Sequence, residues 1–286
     1  MQQAQQNIVQ MAADAIARHD NTRAYACMGG SLSFRELGLL SDRFAQWLVH
    51  EGGVRPGDRV AIMLPNLLQY PVVALGVLKA QAVVVNVNPL YTPHELQRIL
   101  IDSGANTLVV LANVAHNAAA ILGHTAVRSV VLTRLGDLQG WFRRSLINLL
   151  VRHVKRLVKP HHFPQAATGL RQALRSGGML ARTRPALTAT FSADSLAVLQ
   201  YTGGTTGVMK AAMLSHRNLL CNVEQIANSM GEDFPGAGAV MVAPLPLYHI
   251  YAFNLNFVMS LLRGHQALLI PNPRDVDAFI AVLGRV

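Results

Sequence analysis

Residues 201–210 read YTGGTTGVMK and follow an apolar run, 196–200, with the length of a buried strand. Three glycines within five positions, Gly203, Gly204 and Gly207, open backbone angles closed to other residues. A strand that runs into such a turn leaves successive N–H groups free to face an anion. The hydroxyls of Thr202, Thr205 and Thr206 add further donors, and Lys210 follows three residues after the last glycine. The pattern reads as a phosphate cradle at a strand end. It is not a Walker A loop, which ends Gly-Lys-Ser/Thr, because Val208 follows Gly207 and Ala211 follows Lys210.

Read on to Asn218, YTGGTTGVMKAAMLSHRN resembles the signature loop of the adenylate-forming enzymes, which include acyl-CoA synthetases, luciferases and the adenylation domains of peptide synthetases. Two further blocks, NVNPLYTPHEL at 86–96 and PLPLYHIYA at 244–252, are similar to those of bacterial long-chain fatty acid CoA ligases. The similarity runs along nearly the whole chain. It implies an α/β fold of mostly parallel sheets with helices on both faces, here the N-terminal part of an adenylation domain.

Strand and helix signals alternate independently of that resemblance. A helix is expected over 7–18, then strands over 24–28 and 31–33 joined by Gly29-Gly30. Ser33 and Glu36 form a capping-box pattern, as do Thr92 and Glu95 with Pro93 at the first helical position. Strands are expected at 59–63, 82–87, 107–111, 129–132, 211–214, 239–242 and 267–270. Helices are expected at 67–79, 92–103, 215–228 and 252–262, with a last one from Asp275. Such alternation builds a parallel sheet with ligands beyond the C-terminal strand ends. Residues 160–194 carry few periodic signals and read as a surface excursion.

Hydrophobic residues make up 51% of the 286 and charged residues 14%, which describes a globular chain with a substantial core. The two cysteines, Cys27 and Cys221, suggest neither a disulfide framework nor a zinc site. The N-terminus does not resemble a secretory signal, no transmembrane helix is expected, and the expected location is cytoplasmic. The net charge of +10 is local in origin: residues 138–193 hold ten Lys/Arg and no Asp/Glu. No nucleic-acid motif accompanies it, and no nucleic-acid partner is expected. On a helical wheel Phe142, Leu146, Leu149, Leu150, Val154, Leu157 and Val158 share one side, opposite Arg144, Arg152, Lys155, Arg156 and Lys159. This basic amphipathic insertion has two readings: peripheral contact with an anionic membrane, such as the inner face of the cell membrane, or a solvated helix packed on the core.

The resemblance implies a chemistry. A fatty carboxylate attacks the α-phosphate of ATP to give acyl adenylate and pyrophosphate, and the CoA thiol then displaces AMP. Carried over, Thr202, Gly203, Gly204, Thr205, Thr206 and Gly207 hold the β- and γ-phosphates, Thr202 helps coordinate Mg²⁺, and Lys210 offers a mobile positive charge. His249 lines the space between nucleotide and acyl group, although a lone histidine beside aromatics is also a common core residue. The family has glycine at Ala211 and a small apolar residue or proline at Met209, so a stiffer or more crowded loop exit is expected. The family's Tyr-Gly-x-Thr-Glu block, ribose-binding aspartate, hinge and small C-terminal domain have no counterpart among these residues. The domain is therefore expected to be truncated, covering 1–286 with its C-terminal partner absent, and incomplete for turnover. A non-catalytic nucleotide-binding or membrane-associated remnant is the alternative, and a homodimer is among the assemblies considered.

Overall fold

Four short runs rich in Val, Leu and Ile form the centre of the molecule: β3 (Arg59–Met63), β4 (Val83–Asn86), β5 (Thr107–Leu111) and β6 (Ser129–Thr133). All pair in parallel, and nearly every side chain on β3, β4 and β5 is buried. That burial on both faces explains why these strands read as continuous apolar runs. The computed structural model describes residues 6–185, 187, 192–202, 209–231 and 234–284. Within them β7 (Ala167–Gly169), β8 (Leu196–Thr202) and β9 (Lys210–Ser215) complete a seven-stranded sheet of order β7-β6-β5-β3-β4-β8-β9, antiparallel only at β9. A second sheet, β10-β11-β1-β2, joins β1 (Arg23–Cys27), β2 (Gly30–Ser33), β10 (Val240–Ala243) and β11 (Gln266–Leu269). The β1–β2 turn carries positive φ at Met28 (52°) and Gly29 (76°), the paired left-handed geometry that suits a tight hairpin.

Strand alternation sorts the large sheet's side chains into two cores. Val60, Ile62, Val84 and Val131 face one cluster. That cluster also takes in α1 (Ile8–His19), α2 (Phe34–His50), α3 (Gln69–Lys79) and the small sheet. Ala61, Met63, Val83, Val85 and Leu108 face the other, covered by α4 (Pro93–Ser103) and α5 (Ala115–Ala119). Helix α3 is buried from Gln69 to Leu78. Asn7, Ser33 and Thr92 each make a reciprocal capping box with the residue three positions on, so α1, α2 and α4 start where their sequences direct.

The α/β reading with mostly parallel sheets is borne out, with corrections. Residues 160–194 are not a surface excursion, since they contain β7 and α7 (Leu170–Thr183), which buries Leu170, Ala173, Leu174 and Gly177. The basic segment forms α6 (Trp141–Leu149) and a π-helical continuation, Leu150–Val154, so Lys155, Arg156, Leu157, Val158 and Lys159 fall outside the expected helix. After α8 (His216–Met230), α9 (Ile250–Ala252) runs through a π-helical stretch, Phe253–Met259, into α10 (Ser260–Arg263), and α11 (Val276–Leu283) follows β11. Among the described residues no helix is long and apolar enough to cross a membrane.

Candidate functional site

Strand β8 lies beside β4 in parallel, with Asn86 opposite Gln200, so both strands end on the same side of the sheet. This is the edge where ligands gather in open parallel sheets. Thr202 is the last residue of β8 and Lys210 the first of β9, and the two are cross-strand partners. The Thr202 hydroxyl lies 3.5 Å from the Lys210 carbonyl oxygen, and both residues are exposed. The pairing brings the two ends of the glycine-threonine loop face to face beyond the strand ends. Gly203, Gly204, Thr205, Thr206 and Gly207 themselves lie outside the described residues.

A chain of amides then links this edge to the other two motif blocks. The Asn86 amide nitrogen donates to Gln200 Oε1 at 3.1 Å, and the Gln200 amide nitrogen donates to the Tyr248 carbonyl at 3.2 Å. The Tyr70 hydroxyl, from α3, sits within reach of Asn86 Oδ1 and lies 2.9 Å from the Leu247 carbonyl. Its one proton serves one of them at a time. Asn66 pins the same turn from both sides: its amide nitrogen donates to the carbonyls of Ala243 and Leu245, each at 2.9 Å, and its Oδ1 accepts from the Leu247 N–H at 2.7 Å. The 244–252 block is thereby held against the ends of β4 and β8.

His249 follows Tyr248 on this turn and is exposed. Its N–H donates to the Pro246 carbonyl at 2.9 Å, and its own carbonyl accepts from Phe253 at 2.9 Å as α9 begins. The side chain is therefore not a core histidine; its backbone is fixed and its imidazole faces outward. Burial raises the pKa of Tyr248, and its nearness to Tyr91 of the 86–96 block raises it further. Burial also raises the pKa values of Tyr70 and Tyr201, and the Tyr201 hydroxyl donates to Asp102 on α4 at 2.5 Å. All three phenols remain protonated donors at neutral pH.

Ala211 lies within β9 opposite Tyr201, without the positive φ that would call for glycine, and it packs with Met209 against the second core. The extra methyl is accommodated in a regular strand rather than crowding a turn. At the start of α8, Ser215 makes a capping box with Asn218, and Arg217 grips Asp194 through two bonds of 2.6 and 2.9 Å. His216 is buried there, and its Nδ1 accepts from the Ile8 N–H at 3.4 Å. These residues anchor the chain as it leaves β9. No group of three or more His, Cys, Asp or Glu able to hold a metal occurs among the described residues. A lone exposed hydroxyl such as that of Thr202 fits a Mg²⁺ ion that arrives on nucleotide phosphates and keeps most of its water.

The sequence reading did not single out Asn66, Tyr70 or Gln200. A signal existed, because Asn86 and Gln200 are amides near the ends of strands that are otherwise apolar. A buried amide in that position needs a partner, and these two are partners of one another.

Comparison with known proteins gives a consistent picture. The AMP-binding enzyme family matches residues 12–285. Over 280 residues the chain is 44% identical to the long-chain-fatty-acid–CoA ligase of Escherichia coli O157:H7, covering 98% of this chain and 49% of that protein. The corresponding ligase of Haemophilus influenzae is 43% identical over 281 residues, covering 97% and 49%. The chain thus spans about half the length of the curated relatives it matches. Among solved structures, the long-chain-fatty-acid-CoA ligase FadD1 from Archaeoglobus fulgidus superposes with a TM-score of 0.72 at 22% identity, covering 93% of this chain and 47% of that one. The anthranilate CoA ligase AuaEII, in complex with anthranoyl-AMP, reaches 0.79 at 17% identity, covering 98% and 48%. At these identities the structural likeness speaks for the fold.

Proposed function

We propose, from the premise that this chain belongs to the AMP-binding enzyme family, that it carries the nucleotide-holding part of an ATP-dependent activation of fatty acids to acyl-CoA. The observation that supports this reading most is the convergence of three motif blocks on one strand edge through Asn86, Gln200 and the Tyr248 carbonyl. In the first step a carboxylate oxygen bonds to the α-phosphorus of ATP, the α–β bridging bond breaks, and pyrophosphate leaves. In the second the CoA sulfur bonds to the acyl carbon, the bond from acyl carbon to phosphate oxygen breaks, the thiol gives up its proton, and AMP leaves.

Reactions of this kind are accelerated mainly by positioning and by stabilising charge on phosphate oxygens. Lys210, exposed across from Thr202 and with no ion-pair partner among the described residues, meets that charge. Thr202, with the loop residues Gly203, Gly204, Thr205, Thr206 and Gly207, holds the β- and γ-phosphates. Thr202 would help hold Mg²⁺, which would supply further charge neutralisation there. His249 borders the space between nucleotide and acyl group. Fatty acids dissolve in bilayers, so peripheral contact with the inner face of the cell membrane belongs to the same reading.

The test is a titration of the 286-residue chain with MgATP, followed by fatty-acid-dependent ATP–pyrophosphate exchange. Lys210→Ala is expected to weaken MgATP binding by about 10- to 100-fold, the worth of a hydrogen bond to a charged group, while leaving the unfolding midpoint unchanged. A folded chain that binds no MgATP overturns the reading. Binding with exchange supports the ligase activity as written; binding without exchange favours the alternative, a chain that holds nucleotide and does not turn it over.

A further inference from the structure

Strands β5, β6 and β7 pair in parallel, so their C-terminal ends lie on the sheet edge that also carries the glycine-threonine loop. Two adjoining cavities open there. The first, of about 400 Å³, is lined in part by Asn113 beyond β5, Arg134 beyond β6, and Arg152, Lys159 and His161 from the stretch after α6. The second, of about 260 Å³, takes Arg144 from α6 and Arg171 and Arg175 from α7. Arg134 belongs to the lining of both. None of these arginines, nor Lys159, has an ion-pair partner among the described residues. Asp137, which lines the second cavity, is already engaged by the Thr133 hydroxyl at 3.1 Å, the Arg134 N–H at 2.8 Å and the Asn148 amide at 3.4 Å. The like charges crowd one another: burial lowers the pKa of Arg171, Arg144 and Arg175 lower it further, and Asp137 offsets them only in part. A concave wall lined by one sign of charge concentrates the counter-ion that relieves it. Asn113 adds a buried Oδ1 with no hydrogen-bond partner among the described residues, open to a hydroxyl donor.

We infer that the paired cavities are a second anion site, which takes a small organic bisphosphate with one phosphate in each cavity and a hydroxyl donating to Asn113. Two cationic cavities that share Arg134 call for two phosphates on one molecule, and their concave walls select a small solute. Guanidinium groups suit phosphate because each offers paired N–H donors. The site is separate from the glycine-threonine loop: in the strand order β6-β5-β3-β4-β8, four steps of about 4.8 Å put β8 roughly 19 Å from β6. The inference goes beyond the ligase reading and does not depend on it, since holding a bisphosphate requires no adenylate chemistry.

The test titrates fructose 1,6-bisphosphate and 2,3-bisphosphoglycerate into the 286-residue chain without Mg²⁺, beside fructose 6-phosphate and 3-phosphoglycerate, with calorimetry as the readout. At least one bisphosphate is expected to bind, one per chain, about tenfold or more tightly than its monophosphate, and less tightly as salt rises. Arg134→Gln is expected to weaken that binding by about 10- to 100-fold, the worth of a hydrogen bond to a charged group. The double variant R171Q/R175Q alters the second cavity alone and is expected to bring the bisphosphate down to the affinity of the monophosphate. These arginines form no ion pair among the described residues, so unfolding midpoints are expected not to fall. MgATP binding, titrated separately, is expected to be the same in both variants as in the unaltered chain. Binding of neither bisphosphate, equal binding of bisphosphate and monophosphate, or binding that survives both variants overturns the inference. Bisphosphate binding that Lys210→Ala abolishes and Arg134→Gln leaves intact also overturns it and assigns the anion to the glycine-threonine loop.

Discussion

His216 shows how one side chain links the start of the chain to the exit of the candidate phosphate loop. It is 2% exposed at the head of α8, and its Nδ1 accepts a hydrogen bond from the Ile8 N–H. Burial pushes its pKa from 6.5 down to about 4, so the folded protein holds it neutral where the unfolded chain takes up a proton. Stability from this residue is complete above pH 6.5 and is lost as pH falls toward 4, by about 3 kcal/mol in all. Protonation would also turn the acceptor into a donor facing Ile8 N–H. His19, His116 and His265 are shifted downward by burial as well, so they add to the same slope. His216→Gln is expected to flatten the fall in denaturant midpoint between pH 6.5 and 4 while leaving a residual slope. An unchanged slope in that variant would remove His216 from this account.

Helix α7 is the element the sequence concealed. Its buried face is Leu170, Ala173, Leu174 and Gly177, so half of the pattern that announces a buried helix face is made of small residues. The glycine pair at 177–178 reads as a break in a lone sequence, yet Gly177 is the point where α7 meets α2. A Cβ built there would overlap the Arg43 carbonyl oxygen, which cannot move without moving α2. A Cβ on Gly178 would instead lie 3.1 Å from Arg43 Nε, on a flexible side chain. The two alanine substitutions should therefore act in opposite directions. Gly177→Ala is expected to destabilise by about 1–3 kcal/mol through overpacking. Gly178→Ala is expected to stabilise by up to about 1 kcal/mol through helix propensity. Urea midpoints of the two variants check this directly. Elements with local instructions were legible by contrast: the capping boxes at Ser33 and Thr92 fix α2 and α4, and the β-branched runs mark β4 and β5.

At the scale of the whole molecule, the strand and helix alternation told which elements exist but not how they are shared between two sheets. No local pattern in 23–27 announces that β1 pairs with β11 near the other end of the chain. The candidate site was legible in the same uneven way: contiguous motif blocks could be read, whereas Asn66 and Tyr70 act through partners about 177 positions away. The two sheets also differ in how they are protected. β3, β4 and β5 are buried on both faces at the centre of the large sheet, while β2 and β10 are the edges of the small one. Amide hydrogen exchange is therefore expected to be slowest in β3–β5 and fastest, among the described strands, in the outer strands β2 and β10 of the small sheet and β7 and β9 of the large one. Exchange from β10 as slow as from β3 would contradict this order. The β1–β11 pairing has a further consequence for a chain made on a ribosome. Tyr25 emerges early but finds its partner strand only when Ala267 has been added. At about 5–20 residues per second, that is a wait on the order of tens of seconds. Through that interval one side of β1 offers unpaired backbone groups to other nascent chains or to a chaperone, so newly made protein is vulnerable to misassembly until β11 arrives.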